Sequence, residues 1–69
     1  MLRENMSKLF TFLENFDISN RIKIYDADGM LIFDGLMGDA PQKVTDQMSV
    51  IRGTAIWRDG YLEVKVKRS

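Results

Sequence analysis

From Ile51 to Lys67 apolar and polar positions alternate on either side of Asp59-Gly60, the pattern of a half-buried β-hairpin. Asp-Gly suits a two-residue turn, which asks for positive φ at both central positions. With Arg58 opposite Tyr61, Trp57 faces Leu62, Ala55 faces Val64 and Gly53 faces Val66, so one side of the ribbon is apolar throughout. The other side carries Arg52, Thr54, Ile56, Arg58, Tyr61, Glu63, Lys65 and Lys67. A three-residue loop would shift the pairing by one and turn Thr54 and Arg52 inward, against that pattern.

A second alternation begins at Arg21, where Ile22 and Ile24 sit between Arg21, Lys23 and Tyr25. The turn that follows is Asp26-Ala27-Asp28-Gly29. Taking Asp28-Gly29 as a two-residue loop pairs Ile24 with Phe33, Asp26 with Leu31 and Lys23 with Asp34, which leaves a cross-strand charge pair on the polar side. A type I turn with a glycine bulge also suits these residues, but it shifts the register and sends Asp34 toward the core.

Before the first hairpin, Leu2, Met6, Leu9, Leu13 and Phe16 recur at spacings of three and four, widened by Phe10 and Phe12. This predicts a helix from Leu2 to Asn15 lying on a sheet, with Phe12 off the main stripe. Between the hairpins the pattern is too polar for a strand; Asp39-Ala40-Pro41 reads as a helix start that runs to Gln47, with Val44 and Met48 tucked down. The expected fold class is α+β in one domain, residues 1–69: an N-terminal helix packed on a four-stranded antiparallel sheet of two β-hairpins, in the order α-β-β-short α-β-β. The expected core is Leu9, Leu13, Phe16, Ile22, Ile24, Leu31, Phe33, Ala55, Trp57, Leu62, Val64 and Val66.

Composition removes several chemistries. The 69 residues include no cysteine and no histidine, which excludes disulfides and the ordinary zinc sites, Ser-His and Cys-His nucleophile pairs and a histidine base. The lack of cysteine fits a cytoplasmic setting. Asp26-Ala27-Asp28-Gly29 is no calcium loop, because the glycine comes too early and Met37 stands where a bidentate glutamate is needed. Gly35 to Gly38 is no phosphate loop, since Asp39 follows it. No metal or cofactor is expected. Asp26, Asp28, Asp34 and Asp59 are the only acids arranged to suggest catalysis, and their turn and strand-edge positions argue against an enzyme. No apolar run has the length of a membrane span, and Ser7, Lys8, Thr11 and Glu14 interrupt any signal-peptide core.

The run from Ile22 to Gly35, followed by a polar loop and then Trp57 to Val66, resembles a class of small proteins of bacteriophages and mobile elements of Gram-positive, often gut, bacteria. The resemblance implies a bacterial cytoplasm and a role as an accessory or inhibitor protein. It assigns no residue a role.

Function is therefore read from the outer face of the sheet. Tyr25, Ile32, Ile56 and Tyr61, with Met30 and Leu36, interrupt its polar pattern and form a candidate interface for a protein partner. A thin core without disulfide or metal makes a homodimer through that stripe a further expectation. Arg21, Lys23, Arg52, Arg58, Lys65 and Lys67 share the face and, interleaved with the two tyrosines, form a candidate basic patch for nucleic acid. Ten basic and ten acidic residues cancel, so only the distribution of charge supports that alternative.

Overall fold

The computed structural model describes residues 8–68. Helix α1 (Leu9–Leu13) is followed by strands β1 (Arg21–Tyr25) and β2 (Leu31–Leu36), a 3-10 turn (Met37–Asp39) and helix α2 (Gln42–Gln47). Strands β3 (Met48–Val50), β4 (Ile56–Arg58) and β5 (Tyr61–Arg68) complete an α+β arrangement. The expected sheet of four antiparallel strands gives way to one of five, in the order β2-β1-β5-β3, with β4 also on β5. β1 and β5 run parallel, and the other pairings are antiparallel.

Two short strands share one side of β5 because the second hairpin is interrupted. The turn register holds as read: Arg58 pairs with Tyr61, Trp57 with Leu62 and Ile56 with Glu63. Positive φ, however, occurs at Gly60 alone (89°), with Asp59 on the ordinary side, the φ pattern of a type II turn. Such a turn splays the strands it joins, and β4 ends after three residues. Residues 51–54 then form a turn of their own, closed by the Thr54 amide donating to the Ile51 carbonyl at 3.2 Å, with Gly53 at φ 80°. Val50 instead of Gly53 consequently faces Val66, which places a branched side chain on the core where the expected partner had none.

Thr54 stitches the gap. Its hydroxyl donates to the Ile51 carbonyl (2.7 Å) and accepts the Lys65 amide (3.1 Å), while the Ile51 amide donates to the Lys65 carbonyl (2.8 Å). Side-chain atoms thus replace one rung of the ladder, and the backbone groups of Lys65 keep partners.

The first hairpin combines both turn readings. The Gly29 amide donates to the Asp26 carbonyl, the Asp26 amide to Met30, and Gly29 has φ 89°, so the loop is the type I turn with a glycine bulge. Lys23 still pairs with Asp34 and Ile24 with Phe33, because a second irregularity after Ile24 brings Tyr25 opposite Leu31 and leaves Ile32 without a rung. Two bulges cancel, and Asp34 stays outside.

The N-terminal helix is shorter than its hydrophobic stripe. Lys8 is extended (φ −57°, ψ 143°) and bridges Ser49 on the outer side of β3. Its ammonium donates to the Asp46 carbonyl at 3.2 Å. That pairing covers a strand edge and starts the helix at Leu9; Leu2 and Met6 lie outside the described residues. The second helix begins at Gln42 with Pro41 as its flanking residue, and Asp39, read from the sequence as part of the helix start, belongs to the preceding 3-10 turn.

Leu9, Ile22, Ile24, Met37, Val50, Leu62, Val64 and Val66 form the buried core, with Phe12, Leu13, Phe16, Phe33, Val44 and Met48 packed around it. Met37 and Val50 are additions to the expected set. Leu31, Ala55 and Trp57 are exposed instead of buried. Trp57 shares the inner face with Leu62, its cross-strand partner, but the five-residue α1 does not roof that corner. The indole, 56% exposed, stands edge-on to Phe16 at 5.9 Å between ring centres. No described helix is long and apolar enough to cross a membrane.

Candidate interaction face

Alternation along β1 and β5 separates two faces. Ile22, Ile24, Leu62, Val64 and Val66 point inward, where α1 and α2 pack through Leu9 and Val44. Arg21, Lys23 and Tyr25 of β1 and Tyr61, Glu63, Lys65 and Lys67 of β5 therefore share the outer face. Register extends it sideways. One row reads Asp34, Lys23, Glu63, Ile56 across β2, β1, β5 and β4, and the next reads Leu31, Tyr25, Lys65. Arg58 stands beside Tyr61, and Lys67 beside Ser49.

The three charged contacts on this face run diagonally across those rows. Arg21 reaches Asp34 at 3.6 Å, and Arg58 donates through Nε to Glu63 at 3.1 Å. The hydrogen bond to Glu63, with the carboxylate's charge, raises the Arg58 pKa further above its ordinary value. Exposed pairs of this kind contribute little to stability; their larger effect is to occupy both acids of the face. Lys23, which the sequence paired with Asp34, instead holds its ammonium 4.6 Å from the centre of the Tyr61 ring. Among the described residues, Lys65 and Lys67 have no acidic partner.

The candidate interface is brought together in part. Tyr25 and Tyr61 are half-buried at the middle strands and Ile56 is exposed on β4. Ile32 sits at the bulge of β2, half-buried against the core. Five of the six candidate cations lie on the outer face, and Arg52 is exposed on the turn at residues 51–54, whose Ile51 amide donates to the Lys65 carbonyl. Exposed Leu31 and Leu36 add apolar surface on β2.

The helical side holds a feature the sequence reading missed: a groove of about 550 Å³ between α1, the 3-10 turn and α2, lined by Phe10, Leu13, Phe16, Ile18, Met37 and Thr45 among others. Phe10 and Ile18 are exposed. The helical stripe pointed to Phe10 and Leu13, but nothing local to the sequence brings Ile18 beside Met37; that depends on the Gly38 amide donating to the Ile18 carbonyl at 3.0 Å.

The carboxylates weighed for catalysis are dispersed. Asp26 accepts the amides of Asp28 and Met30, both at 2.9 Å, and so holds its own turn. Asp34 is paired with Arg21. Asp28 and Asp59 are exposed at the tips of opposite hairpins, and none of the four lines the groove. Among the described residues no group of three or more acids gathers as a metal site. In comparisons with protein-family models, curated proteins and solved structures, the chain matches none of them.

Proposed function

We propose that the chain is a non-enzymatic interaction module that takes a macromolecular partner on the outer face of its sheet. One observation carries the reading: both described helices pack on the inner face, so the outer face keeps Tyr25, Tyr61 and Ile56 at or near the surface, set among cations. Tyrosine and arginine are enriched at docking surfaces, and the lysines beside them give the face an excess of positive charge. Together with the resemblance carried by the two hairpins, the reading extends to an accessory or inhibitor protein of a bacterial cell. A second copy fits the outer face poorly, because two such faces would bring like charges together and desolvate lysines. Pairing along β2, which has a neighbour on one side only among the described residues, is the remaining route to a homodimer.

Affinity capture from a bacterial lysate tests the reading with two surface variants. Ile56→Glu with Tyr61→Ser should lose the bound partner, and Ile18→Glu at the groove should retain it. Loss confined to Ile18→Glu would move function to the helical side and refute the proposal.

A further inference from the structure

The chemistry of the partner follows from which charges on the outer face are already satisfied, given the reading of that face as a docking surface. Arg21 and Arg58 hold its two acids. Lys65 and Lys67 project from the same side of β5, and Arg52 stands on the turn whose Ile51 amide is bonded to the Lys65 carbonyl. Among the described residues none of these three cations has an acidic partner. Tyr25 is the neighbour of Lys65 across the parallel pair β1–β5, and Tyr61, with Lys23 over its ring, begins the same strand. Two rings and several cations thus share two adjacent strands, Arg21, Lys23 and Tyr25 on β1 and Tyr61, Lys65 and Lys67 on β5, with Glu63 between Tyr61 and Lys65 held by Arg58.

Single-stranded nucleic acid has the complementary pattern, a regular line of negative charge with flat bases projecting from it. An acidic peptide offers the charge without the bases, and a duplex keeps its base faces stacked inside. We propose that the outer face binds single-stranded nucleic acid, with Arg52, Lys65 and Lys67 on phosphates and Tyr25 and Tyr61 against bases. Lys23 is then a cation already positioned beside a ring, able to turn toward a phosphate when a base takes its place.

Fluorescence anisotropy with labelled oligothymidylate and oligouridylate tests this, with labelled polyglutamate as the anion that lacks bases. Three phosphate contacts predict an affinity that falls about 20-fold between roughly 50 and 200 mM salt. Lys65→Glu with Lys67→Glu should abolish binding while circular dichroism confirms the fold. Tyr25→Leu should weaken it by about 5- to 150-fold and leave the salt slope unchanged. Absence of oligonucleotide binding at low salt overturns the proposal; if the outer-face variant still loses a captured protein, the docking face itself stands. Polyglutamate bound as tightly as the oligonucleotides also overturns it and assigns the face to acidic protein segments. Binding that survives the double lysine variant overturns the site.

Discussion

Replacing Thr54 by valine keeps the shape of the side chain and removes only the hydroxyl that closes the gap between β3 and β4. The Lys65 amide then loses its acceptor at 3.1 Å and the Ile51 carbonyl loses a donor at 2.7 Å. Each such bond contributes about 0.5–1.5 kcal/mol net, so the pair is worth about 2 kcal/mol. In a domain of this size each kcal/mol moves the melting temperature by about 4–8 °C, which puts the expected loss at about 8–16 °C. Thermal and urea unfolding followed by circular dichroism measure it, and Thr54→Ser, which keeps the hydroxyl, should restore most of the difference. Hydrogen exchange gives a local reading, because the Lys65 amide should lose protection before the core amides of Val64 and Val66 do. A Thr54→Val protein within about 0.5 kcal/mol of the parent, or a serine variant as unstable as the valine one, would refute the assignment of the hydroxyl as a rung.

Gly60→Val forces a branched side chain to φ 89° and should cost about 1–2 kcal/mol, read from the urea midpoint; an unchanged midpoint would remove the turn. Trp57→Ala should cost well under the roughly 3–5 kcal/mol of a buried tryptophan, since the indole is 56% exposed, and native emission should be correspondingly red-shifted; a blue-shifted native spectrum would count against the open corner. Asp17 accepts the amide and hydroxyl of Ser19, both at 2.9 Å, and these bonds lower its pKa below the usual carboxylate value. Its contribution to stability is full above the unfolded-state pKa and disappears as pH falls through the lower folded one; Ser19→Ala keeps the amide bond, the larger cause, and removes the hydroxyl, so carboxyl NMR titration should show the Asp17 midpoint moving part of the way upward, and an unmoved midpoint would contradict the hydroxyl's share.

Period-two alternation made most of the outer face legible, because once Ile22, Ile24, Leu62 and Val64 are assigned inward, Lys23, Tyr25, Tyr61 and Lys65 have nowhere else to point. The departures come from places where the period breaks. Ile32 leaves the outer face because a bulge compensates the glycine turn, and the glycine turn alone would send Asp34 toward the core. Arg52 leaves the ladder because Thr54 can imitate a backbone rung, a long-range hydrogen bond that no local pattern encodes. Trp57 lies on the expected face, opposite Leu62, but is exposed there. Its exposure depends on the cover beyond the C-terminal end of α1, where Phe16 meets the indole edge-on, and the apolar stripe does not encode that end. The groove depends on contacts among segments distant in sequence and had no local signal beyond the stripe of α1.

The parallel pairing of β1 with β5 also dictates when the molecule can come into being. On a ribosome β5 is the last of the described elements to emerge, yet β1, β3 and β4 all bond to it. Until then β1–β2 is the one pairing open to the described strands, and two strands alone are marginal in water. Ile22 and Ile24 wait without Leu62 and Val64 across from them. Closure must gather segments from opposite ends of the chain at once, a search that long-range pairing makes slow, so the protein is expected to fold as a single late event after synthesis has passed Arg68.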